Sequence, residues 1–218
     1  MTDISKSFQQ FIQNAEFPCV GAKSALARDA LSVLPVGKID SATDDVEIHR
    51  ALRDFSDKLD HQSPIVRSFV VIFDGPDGLD EEAFEKALWN RLQCLHNLDV
   101  VSGQSWNEAV DPDPQSPHFS LSIGEPFFVI GLHPNASRPA RRFEKPALVF
   151  NSHLQFEKLR ADGRFDKMKE IIRKRDEALA GSINPMLNDH GEASEARQYS
   201  GRAVDPEWKC PFAHKEVA

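Results

Sequence analysis

The chain has 218 residues, 40% of them hydrophobic, and a formal net charge of −8. That length and apolar content suffice for one sizeable domain with a real core and exclude wholesale disorder. The acidic balance argues against a duplex-binding protein, because negative surface repels phosphates.

The first predicted helix runs from Ile4 to Ala15, with Ile4, Phe8, Phe11, Ile12 and Ala15 on one face. Pro18 ends it, and Gly21 makes a turn before a short helical run from Ala22 to Arg28. Ala30 to Ile39 contains Pro35 and Gly37 and reads as an edge strand at best. Thr43 or Asp44 caps a helix to about Leu59, followed by a strand in "RSFVVIFDGPDG". Asp80 caps the longest helix, with Phe84, Leu88, Leu92 and Leu95 facing inward. Residues 99 to 118 read as loop. "FSLSIGEPFFVIGLHP" reads as two strands around Gly124-Glu125-Pro126, and "KPALVFNSH" as a strand entering a helix at Ser152 or His153. A further helix spans Arg164 to Ala180 and stops at Gly181. The remainder is polar, yet it carries the only tyrosine and then Trp208 and Phe212, so segment 182–218 is expected to fold back onto the body. The order of elements predicts a single α+β domain over residues 1–218, with a mainly antiparallel sheet of four or five strands packed by helices.

The start, MTDISKSFQQF, lacks a basic region followed by an apolar run, and no apolar stretch reaches the roughly 18 residues of a membrane helix. Cys19, Cys94 and Cys210 are widely spaced and form no CxxC. The expectation is a cytoplasmic protein with reduced thiols, no signal peptide and no membrane partner.

The chemistry concentrates in "IGLHPNASRPARRF". From Arg138 to Arg175 the chain holds twelve Lys and Arg against five Asp and Glu, so an acidic protein carries one basic segment. Three readings compete for it: a solvated turn, a nucleic-acid patch, or a pocket for an anionic ligand. His133 at a strand end, followed by Pro134, has the fixed direction an axial metal ligand needs. No zinc-type spacing occurs anywhere in the chain. A metal held inside a macrocycle needs only one protein donor, and His133 can supply it. Arg138, Arg141 and Arg142 suit carboxylates or phosphates, the propionates of a haem among them. In "FNSHLQFEKLR", His153 and Glu157 share a helix face, as pocket wall or as ordinary surface pair.

"FPCVGAKSAL", "GLHPNASRPARRF", "LVFNSHLQFEKLR", "RDEALAGSINPML", "GEASEARQYSGR" and "EWKCPF" together resemble the YqcI/YcgG family, in that family's order, from about Phe17 to Phe212. Members include haem-dependent N-oxygenases such as pre-guanitoxin N-hydroxylase and arginine N-hydroxylases. The resemblance implies a haem b enzyme that uses O₂ to hydroxylate an amine or guanidine nitrogen of a small molecule. His133 is then the expected iron ligand, with His153, Cys210 and Cys19 as alternatives. Arg138, Arg141, Arg142 and His153 would hold the cofactor, and Glu157 and Glu195, with Glu192 as a third, would face a cationic substrate. With no flavin or nicotinamide fingerprint, electrons would come from a separate reductase or external donor. A haem sensor or carrier without turnover, or a nucleic-acid module, are the rival readings, and a homodimer is one option for assembly.

Overall fold

The computed structural model describes residues 3–187 and 191–217. Its centre is one five-stranded sheet in the order β1-β2-β5-β4-β3, built from β1 (Leu31–Lys38), β2 (Ser68–Gly75), β3 (Leu121–Ile123), β4 (Glu125–Leu132) and β5 (Ala147–Ser152). Only β1 and β2 are parallel; the other pairings are antiparallel. The parallel pair was not apparent from the pattern of β1. It follows from the connection, because the helix between β1 and β2 makes the crossover that parallel neighbours require. Pro35 is tolerated because β1 lies at the sheet edge.

Among the described residues six α-helices flank the sheet: α1 (Asp3–Gln13), α2 (Val20–Ala27), α3 (Asp45–Ser56), α4 (Glu81–Val101), α5 (His153–Ala161) and α6 (Phe165–Ala180). Asp80 caps α4 by accepting from the Ala83 amide at 2.8 Å, and Gly181 ends α6 with a left-handed φ of 72°. Strand alternation divides the packing into two layers. Phe69, Val71 and Phe73 face a core shared with Ile48, Leu52 and Phe55 of α3 and with Phe84, Leu88, Leu92 and Leu95 of α4. Tyr199, Cys210 and Phe212 complete that core from the far end of the chain, Tyr199 stacking on Trp89 at 5.4 Å. Val70 and Ile72 face the other layer, where Phe8 and Ile12 of α1 and Phe143 pack.

The second layer is the thinner one. Val33, Val70, Val149 and Ile130 are register partners in a single row across four strands, yet only Val70 among them is fully buried. Helix α6, with 16 residues, has no buried residue at all.

Candidate functional site

His133 leaves the end of β4 with its amide donating to the Arg141 carbonyl at 3.0 Å, so its direction is fixed. The imidazole is 1% exposed and stacks on Phe84 with ring centroids 4.3 Å apart. Its Nδ1 has no partner among the described residues. Burial pushes its pKa below the ordinary imidazole value, with the Arg141 charge acting in the same direction. The ring is therefore neutral and closed in against α4.

The three arginines are drawn inward, each to a different anchor. Arg138 pairs with Asp176 and donates to the Ser182 carbonyl at 3.0 Å. Arg141 donates to the carbonyls of Gly131 (3.1 Å), Tyr199 (3.0 Å) and Gln198 (2.8 Å), and burial pushes its pKa down to about 10. Arg142, the exposed member, donates to the carbonyls of Ala136 (2.7 Å) and Ser137 (2.8 Å). Arg138 and Arg142 line a cleft of about 330 Å³, with Ser182, Asn184 and Gly201 on its other walls.

His153 belongs elsewhere. Leu132 pairs with Ala147 at one end of the β4–β5 ladder and Phe127 with Ser152 at the other, so His133 and His153 leave the sheet at opposite ends, roughly 20 Å apart. Nδ1 of His153 lies 3.1 Å from Ser120 Oγ, and Nε2 lies 3.6 Å from Glu157. Glu157 also accepts from Arg160 at 2.5 Å and is 45% exposed. Glu195 opens a short 3₁₀ turn capped by Ser194, and Glu192 is exposed beside it. The residues expected to share one site are thus distributed over three regions.

The structure brings out two further features. The first is Glu125, a carboxylate only 5% exposed, which accepts from Ser152 Oγ and lies 2.7 Å from His61 Nε2. Period-two alternation puts Glu125 on the face of Phe127 and Val129, which was the available signal. The second is Cys19. It is the N-cap of α2, and its Sγ accepts from the amides of Ala22, at 3.4 Å, and Gly21. Lys23 and Arg175 bind the carbonyls of the preceding loop, at Asn14, Ala15 and Phe17. Cys19 therefore has two backbone amide donors of the kind that stabilise a thiolate. Burial opposes them and leaves the free thiol's pKa raised. Cys210 has a single amide donor, from Phe212, and burial pushes its pKa up to about 12.

A haem needs one axial donor and flat apolar walls. His133 offers the donor but is sealed by Phe84. Cys19 offers a sulfur held by two amides, and its chain neighbours Phe17, Ala22 and Leu26 pack on the same layer as the half-buried row of Val33, Val149 and Ile130. That row crosses three strand spacings, roughly 14 Å, with Val70 within it covered by the second layer. The amide-held sulfur of Cys19 has the donor chemistry such a group would need, whereas the His133 imidazole is enclosed by Phe84. Among the described residues, no group of three His, Cys, Asp or Glu is placed to hold a bare metal ion, and no helix is long and apolar enough to cross a membrane.

The fold and these segments define an α+β protein of one five-stranded sheet, whose polar clefts and polarised thiol are built from the most distinctive stretches of its sequence. The chain belongs to the YqcI/YcgG family, whose sequence profile matches residues 8–213. No curated protein and no solved structure matches it.

Proposed function

We propose that the protein is a haem-dependent oxygenase that hydroxylates an amine or guanidine nitrogen of a small molecule, with Cys19 as the iron ligand. Family membership supports the class, and the observation that carries the ligand assignment is the pair of backbone amides aimed at Cys19 Sγ. A haem held by Cys19 would supply activation of O₂, the sulfur donating electron density to the iron.

The chain's own residues have defined tasks in this reading. Cys19 gives up its proton as the metal binds, which makes loading pH-dependent. The amides of Gly21 and Ala22 then hold the sulfur charge and its orientation. Val33, Val149 and Ile130 form the apolar wall that keeps water from the reacting face. A separate reductase delivers the electrons.

Haem titration followed at the Soret band tests the proposal. The parent and His133→Ala should bind about one haem per chain, whereas Cys19→Ala should not saturate. Incubation of the loaded parent with O₂, a reductase and a panel of amines and guanidines should then yield an N-hydroxylated product. Absence of saturable haem binding by folded parent protein removes the oxygenase reading. Loss of the spectrum in His133→Ala alone returns the ligand to imidazole. Binding without turnover across the panel favours a sensor or carrier.

A further inference from the structure

The cleft walled by the Ser137–Arg142 turn, the segment after α6 and the Gly201–Ala203 strip contains two arginines and no carboxylate among its lining residues. Its charge is poorly balanced. Of Arg138, Arg141 and Arg142, only Arg138 forms an ion pair among the described residues, with Asp176. Arg141, which forms no ion pair among the described residues, donates to three carbonyls and has its nearest counter-charge in Asp176, already paired with Arg138; Gly201 presses on it so closely that a Cβ there would lie 2.7 Å from Arg141 Cδ. Arg142 spends Nε and Nη2 on two carbonyls, which fixes the guanidinium plane and leaves Nη1 unbonded among the described residues. Arg138, with a side chain 10% exposed, has a buried Nε without a partner on the same cleft. Buried or constrained cations facing neutral dipoles lack the compensation that charge normally requires, and a bound anion supplies it.

We propose that this cleft binds a compact oxyanion group, a carboxylate or a phosphate monoester, through Arg142 with Ser137 and Asn184 beside it. Its volume of about 330 Å³ suits a small molecule or the head of a larger one. Arginine recognises both groups through paired N–H donors. Ser137 is exposed and carries a hydroxyl donor. Asn184 accepts from the Met186 amide with Oδ1, so its Nδ2 is the end left for a ligand. The site is separate from Cys19. Met168, which flanks Gly21 beside that thiol, and Ala180, on the cleft wall, lie twelve residues apart on α6, about 18 Å. The inference therefore stands independently of the haem reading.

Isothermal titration of haem-free protein with inorganic phosphate, and separately with acetate and succinate, tests it. Saturable binding of at least one probe is expected. Arg142→Gln should weaken it about ten- to a hundredfold, and Asn184→Asp, which sets a carboxylate in the cleft, should abolish it. Preference for phosphate identifies a phosphorylated ligand, and preference for the carboxylates identifies an organic acid; either supports the site. Unfolding midpoints of both variants without anion establish that the fold is retained. No saturable binding of any probe by the parent, or binding unchanged in both folded variants, would overturn the proposal. Loss of anion binding once haem is loaded would overturn the separateness of the two sites. If the Soret titration fails while anion binding persists, only the oxygenase reading falls.

Discussion

Arg141 Nη1 donates to the carbonyl oxygen of Tyr199 across 3.0 Å, joining two residues 58 positions apart. The same carbonyl accepts from the Gly131 amide at 2.7 Å, so the end of β4, the arginine turn and the returning tail meet at one oxygen. An arginine that reads as a ligand clamp in the sequence is here a tie between chain segments.

Arg141→Met should therefore be a folding variant first. Three carbonyls lose a charged donor, and hydrogen bonds to charged groups contribute about 1.5–3 kcal/mol each in favourable cases, with incomplete additivity. We expect a loss of at least about 2 kcal/mol in urea unfolding, with new protease cleavage between residues 191 and 203. Arg141→Lys should recover only part of it, because an ammonium cannot reach all three acceptors at once. Unchanged unfolding in Arg141→Met would mean that the guanidinium is not the tie described.

Gly131→Ala should be as damaging for a steric reason. A Cβ at that position would lie 2.7 Å from Phe84 Cε1, 2.8 Å from Leu88 Cδ1 and 2.9 Å from the Tyr199 oxygen. Overpacking of this kind costs about 1–3 kcal/mol or more. The urea midpoint should fall, while Gly103→Ala serves as a control whose Cβ meets no atom but whose φ of 76° carries only local strain.

Ser152→Ala removes two functions together: the cap of α5, where Oγ accepts from Gln155 N at 3.1 Å, and the donor to buried Glu125. Cap loss alone costs about 1 kcal/mol, and an unsatisfied buried carboxylate oxygen adds about 1–3 kcal/mol. Adding Glu125→Gln to Ser152→Ala should restore part of the loss by removing the charge. Additive destabilisation in the double-mutant cycle would show that the two groups do not act together.

Stability should also decline with mild acid. Burial, with a smaller contribution from His214, depresses His96 to about 4 from its ordinary 6.5, and His133 is lowered by burial as well. A histidine depressed in the folded state takes up its proton preferentially when unfolded. Stability is then full above about pH 6.5 and falls as pH drops toward 4, by at most about 1.4 kcal/mol per pH unit for each such histidine. His96 Nε2 accepts from the Lys215 amide at 3.0 Å, so its protonation also breaks a tail contact. Urea unfolding of the parent should weaken between pH 7 and pH 5, and His96→Gln should flatten that dependence.

The helices were legible because apolar residues at helical spacing have no alternative face to occupy; Phe84, Leu88, Leu92 and Leu95 are all fully buried. The hairpin at Gly124 was legible for a similar reason, since its φ of 68° suits glycine. The parallel pairing of β1 was not, because register and partner choice are set across the sheet rather than along the strand. The part of the arginine turn that ties segments together was not legible, because charge is visible in a sequence and its acceptors are not. Carbonyls that bind Arg141 belong to Gly131, Gln198 and Tyr199, and no residue type announces a free carbonyl. Cys19 stood only as an alternative ligand for the same reason, since its donors are backbone amides.

The tail that completes the first core has a consequence for synthesis. A chain made from its N-terminus has both antiparallel partners of β5 available by Ser152, but Trp89 must wait for Tyr199 and Phe212. Until those residues leave the ribosome, the α4 side of the sheet has an open aromatic floor, and exposed floors of that kind aggregate. Fragments ending before Phe212 should be recovered bound to chaperones or as insoluble protein, so survival of the α4 side depends on Tyr199 and Phe212.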